Sequence, residues 1–213
     1  MYINRLAKTA AAAFLATAML ITASPAQAHP APEGPSSASS DLFPRFSLTP
    51  GQAMELQRQI DQQIAAAPGG RQISQNEVAY DGGHAIVTFN IPGRTGSPAS
   101  SKVAAPDAVT SDVNGCPYGD FTQWNCVYEF ANFNEGTNGR RLQFNECGGR
   151  DLNTYNFRDK TSSWVNTTGK KVHVSNFTTT GSLVLLWEEP SHSKSSQVTP
   201  ANDNKADYID IRC

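Results

Sequence analysis

All four cysteines of this 213-residue chain, Cys116, Cys126, Cys147 and Cys213, fall in its C-terminal half. Whether they are thiols, metal ligands or cross-links constrains what that half can fold into, and the opening of the chain bears on the choice. Met1–Ala28 has a basic start (Arg5, Lys8), an apolar run from Ala10 to Ile21, and a small-x-small end at Ala26-Gln27-Ala28. This is the pattern of a secretory signal peptide. The apolar run is too short for a membrane span and lacks a second basic flank. The expectation is a secreted, extracellular protein, and in that oxidising setting an even number of cysteines reads as two disulfides. A zinc site would need Cys-x-x-Cys or close Cys/His spacing, and His173 and His192 lie far from any such pair. Four cysteines allow three connectivities. The expected one is the local bridge Cys116–Cys126, with Cys147–Cys213 tying the chain end back.

Charge narrows the partners. The formal net charge is −2, and the signal carries two basic and no acidic residues, so the exported part is slightly more acidic. Such a mild, mixed surface argues against nucleic acid and anionic membrane.

The exported chain reads as four segments. Residues 29–46 are rich in Pro, Ser and Ala and read as a disordered leader. Residues 47–91 read as a helix plus a β-hairpin. Thr49-Pro50-Gly51-Gln52 supplies an N-cap, a Pro at N1 and a Gln at N3 for a capping box. Ala53, Leu56, Ile60, Ile64 and Ala67 then share one helical face, and Pro68-Gly69-Gly70 ends it. The runs Arg71–Tyr80 and His84–Ile91 flank the turn Asp81-Gly82-Gly83. So small a unit is expected to be an accessory or pro-segment rather than a domain. Residues 92–114 read as a linker.

Residues 115–213 read as an all-β domain, because short apolar runs are broken by Gly, Asn and Asp clusters without helical periodicity. The domain repeats itself. Tyr128, Phe133, Gly136 and the strand-like Arg140–Phe144 are matched by Val172, Phe177, Gly181 and Ser182–Trp187. "RDKTSSW" (158–164) then corresponds to "DNKADYI" (203–209). Two four-stranded units of one layout predict a two-sheet Greek-key sandwich in which each half closes the other's core.

The aromatic corner followed by a polar hexad resembles the βγ-crystallin fold. More closely, "CPYG…CVYEFANF…GRRLQF" with "FRDKTSSWVN" resembles the metalloproteinase-inhibitor family of secreted bacterial proteins, built on a crystallin-like domain. "QISQNEVAYDGGHAIVTF" (72–89) is similar to the N-terminal extension of many such proteins. The chain departs from the pattern in places. The loop between Cys116 and Cys126 is lengthened, Asn134-Glu135 separates Phe133 from Gly136, Arg158 opens the first hexad, and Asp207-Tyr208 closes the second.

The resemblance implies a monomeric inhibitor of an extracellular protease, with a metalloprotease the expected target. Two loops are candidates for contact. The favoured one, Asn132–Gly139, offers Asn132, Asn134, Glu135, Gly136 and Asn138; the other is the polar segment Glu188–Asn202. Inhibition is expected to survive loss of residues 29–114. No cofactor is required, and calcium is the one cation the hexads suggest. Asp159, Ser162 and Ser163 in one loop, with Asp203, Asn204 and Asp207 in the other, offer the oxygens a hard cation needs. The same side chains also cap ordinary turns. The alternative class is a calcium-stabilised crystallin-like structural or antimicrobial module. Catalysis finds no motif: there is no nucleophile elbow, His-Glu-x-x-His or phosphate loop. Glu188 and Glu189, adjacent on a strand, point to opposite faces and cannot act as a pair. A non-enzyme is expected.

Overall fold

The computed structural model describes residues 46–100, 111–119 and 122–213. The signal-like segment, the leader to residue 45 and residues 101–110 of the expected linker lie outside the described residues.

Helix α1 (Pro50–Ala66) begins at the capping box. Thr49 Oγ1 accepts the Gln52 N–H at 3.3 Å, and Gln52 Oε1 accepts the Thr49 N–H at 2.9 Å. Leu56, Ile60 and Ala67 are buried as their spacing predicts, whereas Ala53 is exposed and the polar Gln63 enters the core. Gln63 Nε2 donates to the Tyr80 hydroxyl and the Tyr155 carbonyl, both at 2.9 Å. An amide is tolerated in an apolar interior when its donors are met in this way.

The first expected strand run is broken by a turn at Gln75-Asn76 into β1 (Arg71–Ser74) and β2 (Glu77–Tyr80). β2 then pairs with β3 (Ala85–Phe89) across the turn where Gly82 and Gly83 take φ of 67° and 104°. Three short strands, β4 (Ser111–Val113), β5 (Cys116–Gly119) and β6 (Thr122–Gln123), form a small antiparallel sheet.

Eight strands follow in two sets of four. The first set is β7 (Asn125–Tyr128), β8 (Arg140–Phe144), β9 (Gly148–Asp151) and β10 (Ser163–Asn166). The second is β11 (Val172–Phe177), β12 (Leu183–Glu189), β13 (Ser193–Ser195) and β14 (Tyr208–Ile211). They do not make one sheet each. One sheet runs β1-β2-β3-β8-β7-β10-β13 and the other β12-β11-β14-β9, so each set lends its third strand to the other's sheet. The protein is mostly antiparallel β-structure with one helix among the described residues.

The hairpin is not set apart from the sandwich. β3 pairs with β8 from Ala85↔Phe144 to Phe89↔Arg140, so residues 71–89 extend the first sheet. The core shows why. Leu56, Ile60, Val78, Tyr80, Val87 and Phe89 share one cluster with Val127, Leu142, Phe144, Val172, Val174, Ile209 and Ile211. A unit too small to bury its own apolar face completes that face against a neighbour.

The opposite face of the long sheet is also covered. Ala79, Ile86, Tyr128 and Val165 cluster there with Cys116, Cys126, Trp124 and Phe133. Into this second layer the sheet sends Arg141, which is fully buried. Its guanidinium donates to the carbonyls of Pro98 and Gly115 and, at 2.9 Å, to Thr88 Oγ1. The buried Glu77 accepts from Ser74 and Ser100 hydroxyls at 2.8 and 2.9 Å. Both ends of the described connector are thereby fastened to the sheet.

Candidate functional site

The turn after β7 is built on strained backbone. Asn132, Phe133 and Asn134 take φ of 52°, 58° and 62°, three consecutive left-handed residues. Asn adopts this region readily; Phe does not, and must be held there. The hold is specific. The Phe133 ring meets Tyr128 edge-to-face at 5.6 Å, and its N–H donates to Ser163 Oγ at 3.1 Å. Ser163 Oγ in turn donates to the Phe130 carbonyl at 2.7 Å, and the Asn132 N–H donates to the Ser196 carbonyl at 2.7 Å.

Asn134 is the keystone of this turn and is fully buried. Its Oδ1 accepts the Phe130 N–H, and its Nδ2 donates to the Arg140 carbonyl, both at 2.7 Å. Its carbonyl accepts from Asn90 Nδ2 at 3.1 Å and from the Thr137 hydroxyl at 2.9 Å. A Cβ on Gly139 would lie 2.6 Å from the Phe130 ring and 2.7 Å from Asn134, so only glycine fits beside it. The expectation that Asn134 offers a contact surface is therefore corrected: its side chain is consumed in holding the loop's backbone. Asn132, Glu135, Gly136 and Asn138 are exposed on the rigid frame it creates.

The two hexads do lie side by side. The Asp159 N–H donates to the Ala206 carbonyl at 2.9 Å, and the Asn204 N–H to the Thr161 carbonyl at 3.1 Å. Several of the six candidate ligands are engaged with the protein itself. Ser163 is spent on the Phe133 turn. Ser162 Oγ donates to Asn204 Oδ1 at 3.4 Å. Asp207 is buried, accepts the Phe177 N–H at 2.9 Å, and has the Arg158 guanidinium 3.8 Å away. Arg158 also forks onto Asp151 at 2.6 and 2.8 Å and lies over the Phe177 ring. Of the expected calcium ligands, Ser163 and Asp207 thus have structural roles, since each holds backbone groups in this fold. Partial desolvation, with the Asp207 carboxylate nearby, holds the Asp159 carboxyl above the usual carboxylate range. Two buried oxygens here, Thr161 Oγ1 and Asp203 Oδ1, have no hydrogen-bond partner among the described residues.

Cys116 is bridged to Cys126 and Cys147 to Cys213, with Cα separations of 5.9 and 5.8 Å. The described histidines serve separate corners: His84 faces Asn145 and Glu146, His173 faces Glu188, and His192 packs edge-on against Tyr118 at 6.5 Å. Tyr118 and His192 share the rim of a cavity of about 280 Å³ with Val113, Val165 and Lys194. The alternation across Glu188-Glu189 is plain. Glu188 is exposed and bonds Lys171 at 2.9 Å, whereas Glu189 is fully buried. Burial pushes the Glu189 carboxyl up to about 8, against hydrogen bonds from Trp187 and Asn125. Nothing in the run of the sequence marks Glu189 or Arg141 as interior. Among the described residues no helix is long and apolar enough to cross a membrane.

Compared with family models, curated proteins and solved structures, the chain matches none.

Proposed function

We propose that this is a secreted proteinaceous inhibitor of an extracellular protease, with a metalloprotease as target and no turnover of its own. The observation that carries the reading is the turn Asn132–Asn138. Three left-handed residues are locked from below by Asn134 and Ser163, and only Asn132, Glu135, Gly136 and Asn138 face outward. A loop ordered before it meets its target avoids the entropy cost of being ordered on contact. The bridge Cys116–Cys126 braces the strand that enters the turn.

The fold assignment within this proposal is a βγ-crystallin-type Greek key. The exchange of β9 and β13 between sheets and the Tyr128–Phe133 ring pair support it. The sequence resemblance to the metalloproteinase-inhibitor family supplies the class of target.

The test is titration of the full exported chain against thermolysin-like, serine and cysteine proteases. Near-stoichiometric inhibition of the first is expected, and Glu135→Ala with Asn138→Ala should weaken it without moving the melting temperature. If no protease is inhibited, the structural-module alternative replaces this reading.

A further inference from the structure

Among the described residues, no strand pairs with the outer edge of the second sheet. β12 is its outermost strand, and Leu183, Val184 and Leu185 are 46, 51 and 51% exposed. No charge and no proline interrupts residues 178–187. Charges and prolines on the edge are the usual devices that keep edge strands from pairing with other chains.

The direction of the peptide groups on this edge follows from its partner strand. The Thr178 N–H donates to the Ser182 carbonyl at 2.8 Å, so that pair is a hydrogen-bonded one. Bonded and non-bonded pairs alternate along an antiparallel ladder. Asn176↔Val184 is then bonded, and Phe177↔Leu183 and Ser175↔Leu185 are not. The other side of β11 agrees. The Ser175 carbonyl accepts the Asp207 N–H, and the Phe177 N–H donates to Asp207, both at 2.9 Å and both away from β12. Leu183 and Leu185 therefore turn their N–H and C=O groups to the open edge. The chain protects this edge one step further on: Leu186, the extra residue of a bulge, has its carbonyl capped by Asn202 Nδ2 at 2.8 Å. No such cap reaches Leu183 or Leu185 among the described residues.

We infer that a second copy of this chain pairs with β12, antiparallel and two-fold about Val184. In that register Leu183 of each copy faces Leu185 of the other, and the outward peptide groups of both residues are all paired. Val184 faces itself, Ser182 faces Leu186, and Glu188 falls opposite the uncharged Thr180. A two-fold about Leu183 would set Leu185 against Gly181, whose N–H already donates to the Thr178 carbonyl at 2.9 Å, and one about Leu185 would set Leu183 against Trp187, which pairs inward with Val174, so the two-fold about Val184 is the one that pairs every outward group of Leu183 and Leu185. On the outer face, Leu183 and Leu185 of both copies would extend the apolar strip begun by Phe177, whose ring meets Tyr208 at 5.9 Å. The inference replaces the expected monomer and does not depend on protease inhibition.

The experiment uses the full exported chain. Its four cysteines are paired, so Val184→Cys would carry the one free thiol. A non-bonded antiparallel pair brings facing residues within disulfide reach. Under mild oxidation Val184→Cys should give a covalent dimer at least about tenfold faster than Thr180→Cys, an exposed residue that faces Glu188 instead of itself. In sedimentation the unmodified chain should dimerise, and Leu185→Lys, at an exposed position, should raise the dissociation constant at least about tenfold. Circular dichroism confirms that each variant is folded. A chain that stays monomeric up to about 1 mM, a dimer indifferent to Leu185→Lys, or equal cross-linking at 184 and 180 overturns the inference. None of these readouts involves a protease.

Discussion

The Glu189 carboxylate accepts a hydrogen bond from the Asn125 side-chain amide, joining β12 of one sheet to β7 of the other. Trp187 Nε1 donates to its second oxygen at 3.1 Å. Burial favours the protonated acid in the folded state and holds it up to about 8, above its value in an unfolded chain. The unfolded state then binds fewer protons between those two values, so stability falls as pH rises from about 4.5 to about 8. Glu189→Gln should flatten that fall and stabilise the protein at pH 8 more than at pH 4.5. Asn125 can turn its unpartnered Oδ1 toward the new amide. Urea denaturation of both proteins across this range is the measurement.

Asn134→Ala should cost about 1–3 kcal/mol, since it leaves the Phe130 N–H without its acceptor and takes one of two donors from the Arg140 carbonyl, which keeps the Glu129 N–H at 3.2 Å. Glu135→Ala, one residue away and exposed, should change stability by less than about 0.5 kcal/mol. Chemical denaturation of the pair separates a keystone from a contact residue.

The two bridges should differ in value. Cys116–Cys126 closes 10 residues and Cys147–Cys213 closes 66. Chain entropy alone assigns them about 3 and about 4 kcal/mol. Cys147→Ser with Cys213→Ser should therefore lower the urea midpoint more than Cys116→Ser with Cys126→Ser.

Residues 115–213 expressed alone should fail to give a cooperative unfolding transition, because β8 loses β3 and the core loses Leu56, Ile60, Val87 and Phe89. Adding a peptide of residues 46–100 should restore it. A sharp transition in the short form would show that the N-terminal segment is dispensable.

Calcium at about 1 mM should leave the melting temperature within about 1 °C, because Ser163 and Asp207 are committed to backbone groups. A larger rise, abolished by Asp203→Ala, would point to the unpartnered Asp203 oxygen as a ligand.

How much of this was legible in the sequence follows from what each element depends on. The capping box of Thr49 and Gln52 is local, so the sequence alone specifies it, as it does the turn at Asp81–Gly83. The twofold layout of residues 125–211 was visible because each half repeats its own turn chemistry, and the strand sets follow it. Glu77 and Arg141 are not legible as interior residues. A period-two pattern identifies one buried face of a strand, and here β4–β6 and the Cys116–Cys126 bridge bury the second face as well. Asn134 was misread for a related reason. A polar residue in an insertion looks solvated, and only the fold reveals that backbone groups from Phe130 and Arg140 converge on its amide.

The pairing of β3 with β8 also sets an order of events. A chain delivered from its N-terminus presents Ile86, Val87 and Phe89 well before Arg140–Phe144 can reach them. Through that interval β3 has a partner only on its β2 side, and closure across so long a stretch of chain is slow. The segment that completes the long sheet is thus the first to arrive and among the last to be secured, and any helper that attends this protein's maturation would find its target there.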